Sequence, residues 1–369
     1  MRKLRVHEGI CWSVSWNDSG SALASCGQDR RIFLLDSSDW RISKQCVSKS
    51  PEDIHNRTIR RVTWRADGKL LAVVSFDSTV SIWRVTPDLG LEFVTKLSGQ
   101  ENEVKGVCFS PCGEMLATCS RDKSIWIFDV SDLLSAEGEV AADDIECLAV
   151  LAGHSQDVKC VKFNPLDSRM LVSVSYDDTV KIWRSTTSDD WELSETLRGH
   201  SGTVWDVAFD PNTGSEFATV SADGSMKIWA PSSSSNRGKR SPIPAASLYL
   251  VTGLLRGSTK NNMFEPVSDG WSCQTIQLTS SPVDSVLPPP PVYAIDWSVD
   301  NLIATACGDN TVRVFLRKES NGSTIPITTV KMESEPNSVS FSPNGRELAI
   351  GLDDGTVCIM SISDSQIFG

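Results

Sequence analysis

The chain has 369 residues, of which 40% are hydrophobic, and a formal net charge of −12. An acidic balance of this size disfavours direct nucleic-acid binding, which needs a basic face to displace counterions. No stretch approaches the roughly 18 consecutive apolar residues of a membrane span, and the basic start Met1-Arg-Lys-Leu-Arg-Val6 has no apolar core behind it, so neither a membrane partner nor a secretion signal is expected.

In chain order, the same phrase returns seven times: an apolar strand, a tight turn carrying Asp, and a strand ending in an aromatic or large apolar residue. After Lys3 to Val6, the only residues open to a strand ahead of His7, the first unit turns at Asp29 and ends at Leu35. The second runs His55, Val62-Thr-Trp64, Leu71-Ala-Val-Val-Ser75, Asp77 and Trp83. The third turns at Asp122 and ends at Phe128. The fourth runs His154, Val158 to Phe163, Leu171 to Ser175, Asp177 and Trp183. The fifth runs His200, Val204 to Phe209, Phe217 to Ser221, Asp223 and Trp229. The last two turn at Asp309 and Asp354 and end at Phe315 and Met360. The turn aspartates are separated by 48, 45, 55, 46, 86 and 45 residues. A period near 45 residues, with strands rich in Val, Ile, Thr and aromatics, is the length of one four-stranded propeller blade. The fold expected is all-β, a single seven-bladed propeller over residues 1–369. Insertions break the rhythm at about 131–145, read as a loop beside blade three, and at about 231–270, whose Ser-rich charged start predicts disorder.

The eleven cysteines are odd in number and contain no CxxC pair. Cys26 and Cys119 stand three residues before their turn Asp, while Cys108 and Cys160 lie inside first strands. Buried thiols acting as small apolar groups are expected, with no metal and no cofactor, in a reducing compartment.

Three sets could be mistaken for hydrolase triads: His55, Ser75, Asp77; His154, Ser175, Asp177; His200, Ser221, Asp223. Three tandem copies of one catalytic site are implausible. Each set, with Trp83, Trp183 or Trp229, is read as a hydrogen-bonded structural network. All four histidines occupy this position, which leaves none for acid–base work, so no catalytic residue is assigned.

The informative column lies four residues before each first-strand aromatic: Trp12, Arg60, Lys105, Lys159, Trp205, Tyr293, Asn337. Radial blades would set these seven around one mouth of the central channel. Just before the turn aspartates, Phe76, Arg121 and Tyr176 join the same face. Aromatics with Arg and Lys make a protein-binding surface.

Beyond a generic propeller, certain phrases are more specific. They include Glu101-Asn-Glu-Val-Lys-Gly-Val107, Leu116-Ala-Thr-Cys-Ser-Arg-Asp-Lys-Ser-Ile-Trp126 and Gln156-Asp-Val-Lys159. Others are Ser175-Tyr-Asp-Asp-Thr-Val-Lys181, Thr203-Val-Trp-Asp-Val-Ala-Phe-Asp-Pro211 and Ala304-Thr-Ala-Cys-Gly-Asp309. Together they resemble the WD-repeat subunit of the cytosolic iron–sulfur protein assembly machinery. The resemblance implies a WD-repeat adapter, not an enzyme. Its expected partners are a small cluster-carrier subunit, a large HEAT-repeat scaffold subunit and iron–sulfur apoprotein clients, in the cytoplasm and the nucleus. It also implies that Arg121 matches a functional surface arginine, and that client tails ending in an acidic residue and an aromatic are recognised. The alternative is a scaffold or substrate receptor of another complex, such as a ubiquitin ligase or a chromatin adapter. The chain departs from the pattern in blades six and seven, where Pro291 and Glu335 stand near the place of the repeat His.

Overall fold

The computed structural model describes residues 1–42, 55–134, 140–187, 189–232, 265–266, 270–279, 287–318 and 322–362. It is an all-β molecule of seven antiparallel sheets. The innermost strands are Cys11–Trp16, Ile59–Trp64, Val104–Phe109, Val158–Asn164, Val204–Phe209, Val292–Trp297 and Pro336–Phe341. Each touches the next around the ring, and the last touches the first. No helix among the described residues is long and apolar enough to cross a membrane.

The seven turns share one geometry, set by the sequence. The residue after each turn Asp has positive φ: Arg30, Ser78, Lys123, Asp178, Gly224, Asn310 and Gly355, between 60° and 83°. A non-glycine residue there costs on the order of 1 kcal/mol, and the Asp side chain offsets it. In blade two, the Asp77 carboxylate accepts from Thr79 N–H at 3.1 Å and from Asn56 N–H at 3.0 Å, tying the turn to the entry loop. Gly355 is a stricter case, because a Cβ there would collide with the carbonyl oxygens of His7 and Gly9.

The core lies between blades rather than within them. Seven apolar clusters each join two neighbouring blades; one sets Cys108, Ala117 and Leu151 of blade three against Val161, Phe163 and Trp183 of blade four. Buried cysteines belong to these clusters, and burial pushes the Cys108 thiol up to about 11 and the Cys160 thiol up to about 12.

The ring closes through the N-terminus. Arg2–Arg5 pairs antiparallel with Thr356–Ser361, from Arg2 opposite Ile359 to Arg5 opposite Thr356. The strand runs one residue earlier than the expected Lys3 to Val6, and it stops at Arg5 because Val6 and His7 N–H are taken by the Gly355 carbonyl. The insertion near 131–145 is not wholly loop: Ser131–Leu134 and Ala142–Asp144 form 3-10 turns, and Leu133 is buried between blades two and three. Most of the 231–270 insertion lies outside the described residues. Glu265–Pro266 pairs with Trp271–Gln277, the outer strand of blade five.

The His networks are present, but wired differently from the sequence expectation. His154 Nδ1 meets Asp177 at 2.9 Å, while its Nε2 meets Ser173, not Ser175, at 2.7 Å; the Trp183 indole donates to the same Ser173 Oγ at 2.8 Å. In blade two the shared hydroxyl is Ser81, and in blade five Thr219, each between the His and Trp83 or Trp229. Ser75, Ser175 and Ser221 instead accept from the backbone N–H of Asp77, Asp177 and Asp223, each at 3.1 Å. Strand alternation explains the correction. In blades four and five a residue two positions earlier faces the same side but sits deeper, where the indole reaches it; in blade two that position is Val73, and Ser81 of the next strand supplies the hydroxyl instead. Blade six has no His; there Arg313 pairs with Asp309 at 2.5 Å.

These networks predict acid sensitivity. Burial holds His154 and His200 below their usual value, although Asp177 and Asp223 pull the other way. Burial works against the ionised Asp77, Asp177 and Asp223, but His and hydroxyl donors outweigh it and hold all three well below the usual carboxylate range. A depressed folded pKa gives stability above the unfolded value that is lost as pH falls. The histidine part should therefore fade below about pH 6.5, and the aspartate part below about pH 4. Burial pushes Asp296 up to about 6, which acts in the opposite sense. The clean readout is thus wild type against His154→Gln, since blade three naturally holds Gln100 at that place. Thermal unfolding between pH 8 and 5 should show a smaller acid loss in the variant. An equal loss would mean His154 does not carry it.

Candidate functional site

One residue column builds the site. Trp12, Arg60, Lys105, Lys159, Trp205, Tyr293 and Asn337 all line one cavity of ≈ 330 Å³ at a mouth of the channel, with Ile10, Phe76, Glu335 and Asp353. Each column residue is at or next to the start of an innermost strand, so ring closure brings together side chains from seven distant repeats.

The cations stand over aromatic faces. The Arg60 guanidinium lies 4.9 Å from the Trp12 ring centroid, and Lys105 Nζ lies 5.0 Å from that of Phe76. Lys159 Nζ is 5.1 Å from both Tyr176 and Trp205. Trp205 meets Tyr293 edge to face at 5.7 Å. The two lysines are also ion-paired: Lys105 with Glu103 at 3.1 Å, and Lys159 with Asp157 at 3.2 Å. Arg60 has no carboxylate at ion-pair distance among the described residues. Burial, then repulsion from Arg61, brings its pKa down to about 10, so it stays charged at neutral pH. The indole N–H groups of Trp12 and Trp205 are buried without a hydrogen-bond partner among the described residues.

The far side of the mouth is acidic. Burial pushes the Glu335 carboxyl up, and burial with the nearby Glu335 pushes the Tyr293 hydroxyl up. Asn337 Nδ2 donates to Asp353 at 2.7 Å. The cavity is therefore bipolar, with cations on blades two to four and carboxylates on blade seven. The sequence column did not flag the counter-ions, although Glu103-Val-Lys105 and Asp157-Val-Lys159 repeat the same acid-x-Lys spacing and made them readable.

Immediately deeper, Arg61 crosses the channel from blade two to Asp206 of blade five at 2.9 Å, and its other terminal nitrogen is 2.9 Å from Cys160 Sγ. Burial drives Asp206 up, but Arg61 outweighs it and the carboxyl stays below its usual value. No group of three or more His, Cys, Asp or Glu among the described residues is placed to hold a metal ion.

Arg121 lies outside the cavity, on the rim. Its side chain is 53% exposed and sits 3.6 Å from Glu103, which also takes Arg57 at 2.9 Å. Arg121→Glu should therefore change stability by no more than the roughly 0.5 kcal/mol of ordinary surface substitutions, while protein partners that use this rim should be lost from co-purification. A variant that fails to fold would make Arg121 a structural residue.

The profile of the WD domain, G-beta repeat, matches residues 1–36, 46–84, 91–129, 145–184, 191–230, 284–315 and 326–360. The chain is also similar to curated proteins that share one name, "Probable cytosolic iron-sulfur protein assembly protein 1". The one from Kluyveromyces lactis is 40% identical over 36% of this chain and 40% of the relative. The one from Candida glabrata is 30% identical over 44% of this chain and 60% of the relative. The one from Vanderwaltozyma polyspora is 31% identical over 51% of this chain and 71% of the relative. The chain spans about half the length of the first two. With seven repeat matches around a closed ring and these relatives, the chain belongs to the WD-domain, G-beta-repeat family, and within it to the family of cytosolic iron-sulfur protein assembly protein 1.

Proposed function

We propose that the protein is a non-catalytic adapter of cytosolic iron–sulfur cluster assembly. It joins a small cluster-carrier subunit, a large HEAT-repeat scaffold subunit and iron–sulfur apoprotein clients in the cytoplasm and nucleus. Kinship to proteins named for this assembly carries the reading. The hydroxyls beside the histidines support an adapter over a hydrolase: Ser173 and Thr219 are buried and already bonded to both His and Trp. The mouth is the surface for a client tail ending in an acidic residue and an aromatic. Arg60 faces the carboxylates, and Trp205 with Tyr293 faces the aromatic ring.

Affinity purification of the tagged chain tests the role. Cluster-carrier and HEAT-repeat subunits should co-purify in stoichiometric amounts. Recovery of ubiquitin-ligase or chromatin subunits in their place would refute it. The isolated chain should also hold no cluster of its own after chemical reconstitution, because its cysteines are scattered through strands without ligand spacing. Stoichiometric iron and sulfide, lost on a Cys→Ser exchange, would contradict that.

A further inference from the structure

The outer edges of the blades are not equally protected. An open edge strand invites pairing with another chain, and proteins block it with charge, proline or a covering segment. The outer strand of blade two, Leu91–Leu97, carries Glu92 and Lys96. That of blade four, Trp191–Arg198, carries Glu192, Glu195 and Arg198. Blade six has Pro326 and Lys331 in Thr324–Lys331, blade seven uses the basic Arg2–Arg5, and blade five is covered by Glu265–Pro266.

Blade three has none of these. Its outer strand, Cys147–Ala152, reads Cys-Leu-Ala-Val-Leu-Ala, is last in its sheet, and has no further strand beside it among the described residues. The segment leading into it turns away: Val140 N–H donates to the Val94 carbonyl of blade two at 2.8 Å, and Ile145 packs between blades two and three. Val150 is 54% exposed, and on the adjacent outer strand of blade four Leu193 is 42% exposed.

We propose that Cys147–Ala152 is a docking edge for an extended strand of a partner protein. That strand alternates β-branched residues and carries Lys or Arg at one end. Main-chain hydrogen bonds would supply affinity, and Val150 and Leu193 the apolar contact. Charge selects the occupant. The exposed carboxylates of Asp144 and Glu146 precede the strand, and the exposed Glu192 lies on the neighbouring blade. A second copy pairing antiparallel would set Asp144 and Glu146 beside Gly153, His154 and Ser155, with no basic side chain to meet them. A basic partner strand fits, and a self-pair does not.

The site is independent of the channel mouth, and its test does not require the iron–sulfur role. The probe is a short fluorescent peptide alternating Val and Thr and ending in two Lys, titrated into the full chain by anisotropy. Its control carries N-methyl groups on alternate residues, which removes edge hydrogen bonding and keeps charge and side chains. The expected result is saturable binding, lost with the N-methylated control and weakened at least tenfold by Val150→Lys. Amide exchange should slow only at 147–152, and the melting temperature of the variant should be unchanged. No binding, equal binding of the control, or protection elsewhere overturns the proposal. A dimer in sedimentation that Val150→Lys dissolves would replace the partner with a second copy, and so overturns it too.

Discussion

Replacing Arg61 with alanine is expected to destabilise the propeller by about 3–5 kcal/mol, the usual cost of leaving one member of a buried ion pair alone. The pair sits in the channel wall, with side chains 12% and 7% exposed, so water cannot take over the lost guanidinium. Asp206 would keep the Ile295 N–H bond at 3.2 Å, the hydrogen bond from the Cys160 thiol, and attraction from Lys162. Arg61→Leu with Asp206→Leu together should cost less than the two single changes summed, because neither charge is then stranded. The pH dependence carries a second signature. In the wild type Asp206 is held below its usual value and stabilises above about pH 4. Without Arg61, the largest pull against burial is gone and the carboxyl rises from its depressed position, so protonation costs the variant less. The loss measured by denaturant unfolding should accordingly be larger at pH 8 than at pH 5. A loss under about 1 kcal/mol, or one independent of pH, would show that the pair does not clamp blades two and five.

Trp205→Ala is expected to weaken docking of a client tail by about 2 kcal/mol or more, roughly thirtyfold in Kd, since buried aromatic anchors dominate such interfaces. Lys105→Glu should matter less than the charge column alone suggests. Lys105 is already held by Glu103 and lies 3.9 Å from Asp157, and partly exposed pairs are worth about 0–1 kcal/mol. Of the three cations lining the mouth, Arg60 is the one without an ion pair among the described residues, so it should choose the terminal carboxylate. The measurement is titration of a peptide ending in an acidic residue and Trp, against its amidated form and a form ending in Ala, with the co-purified partner subunits present. The free acid should bind best, and Arg60→Gln should erase the preference over the amide. Equal affinity of all three peptides, or no effect of Trp205→Ala, would remove the mouth as the docking surface.

The seven-bladed fold was legible because its signal is local and repeated. A turn Asp, a positive-φ residue and an apolar strand recur at Asp77, Asp177 and Asp223 with the same near-neighbour bonds, so each repeat states the same answer. The ring column was legible for the same reason: a constant offset in a repeated unit becomes a constant height in a closed ring. Arg121 was placed correctly in a turn, but the sequence could not show that it stands on the rim beside Glu103 and not in the cavity.

What the sequence determined by itself was blade number, turn chemistry, the burial of Cys26, Cys108, Cys119 and Cys160, and which seven residues share one mouth. Only the tertiary structure decided which hydroxyl each His takes, since Ser173 and Ser175 face the same side and differ only in depth relative to Trp183. It also decided that Arg61 reaches Asp206, that Glu335 and Asp353 make the mouth bipolar, and that no strand among the described residues pairs with the outer edge of blade three. These pairings join residues far apart in the chain. Nothing in local periodicity encodes them, because the distance across the channel exists only once the ring has closed.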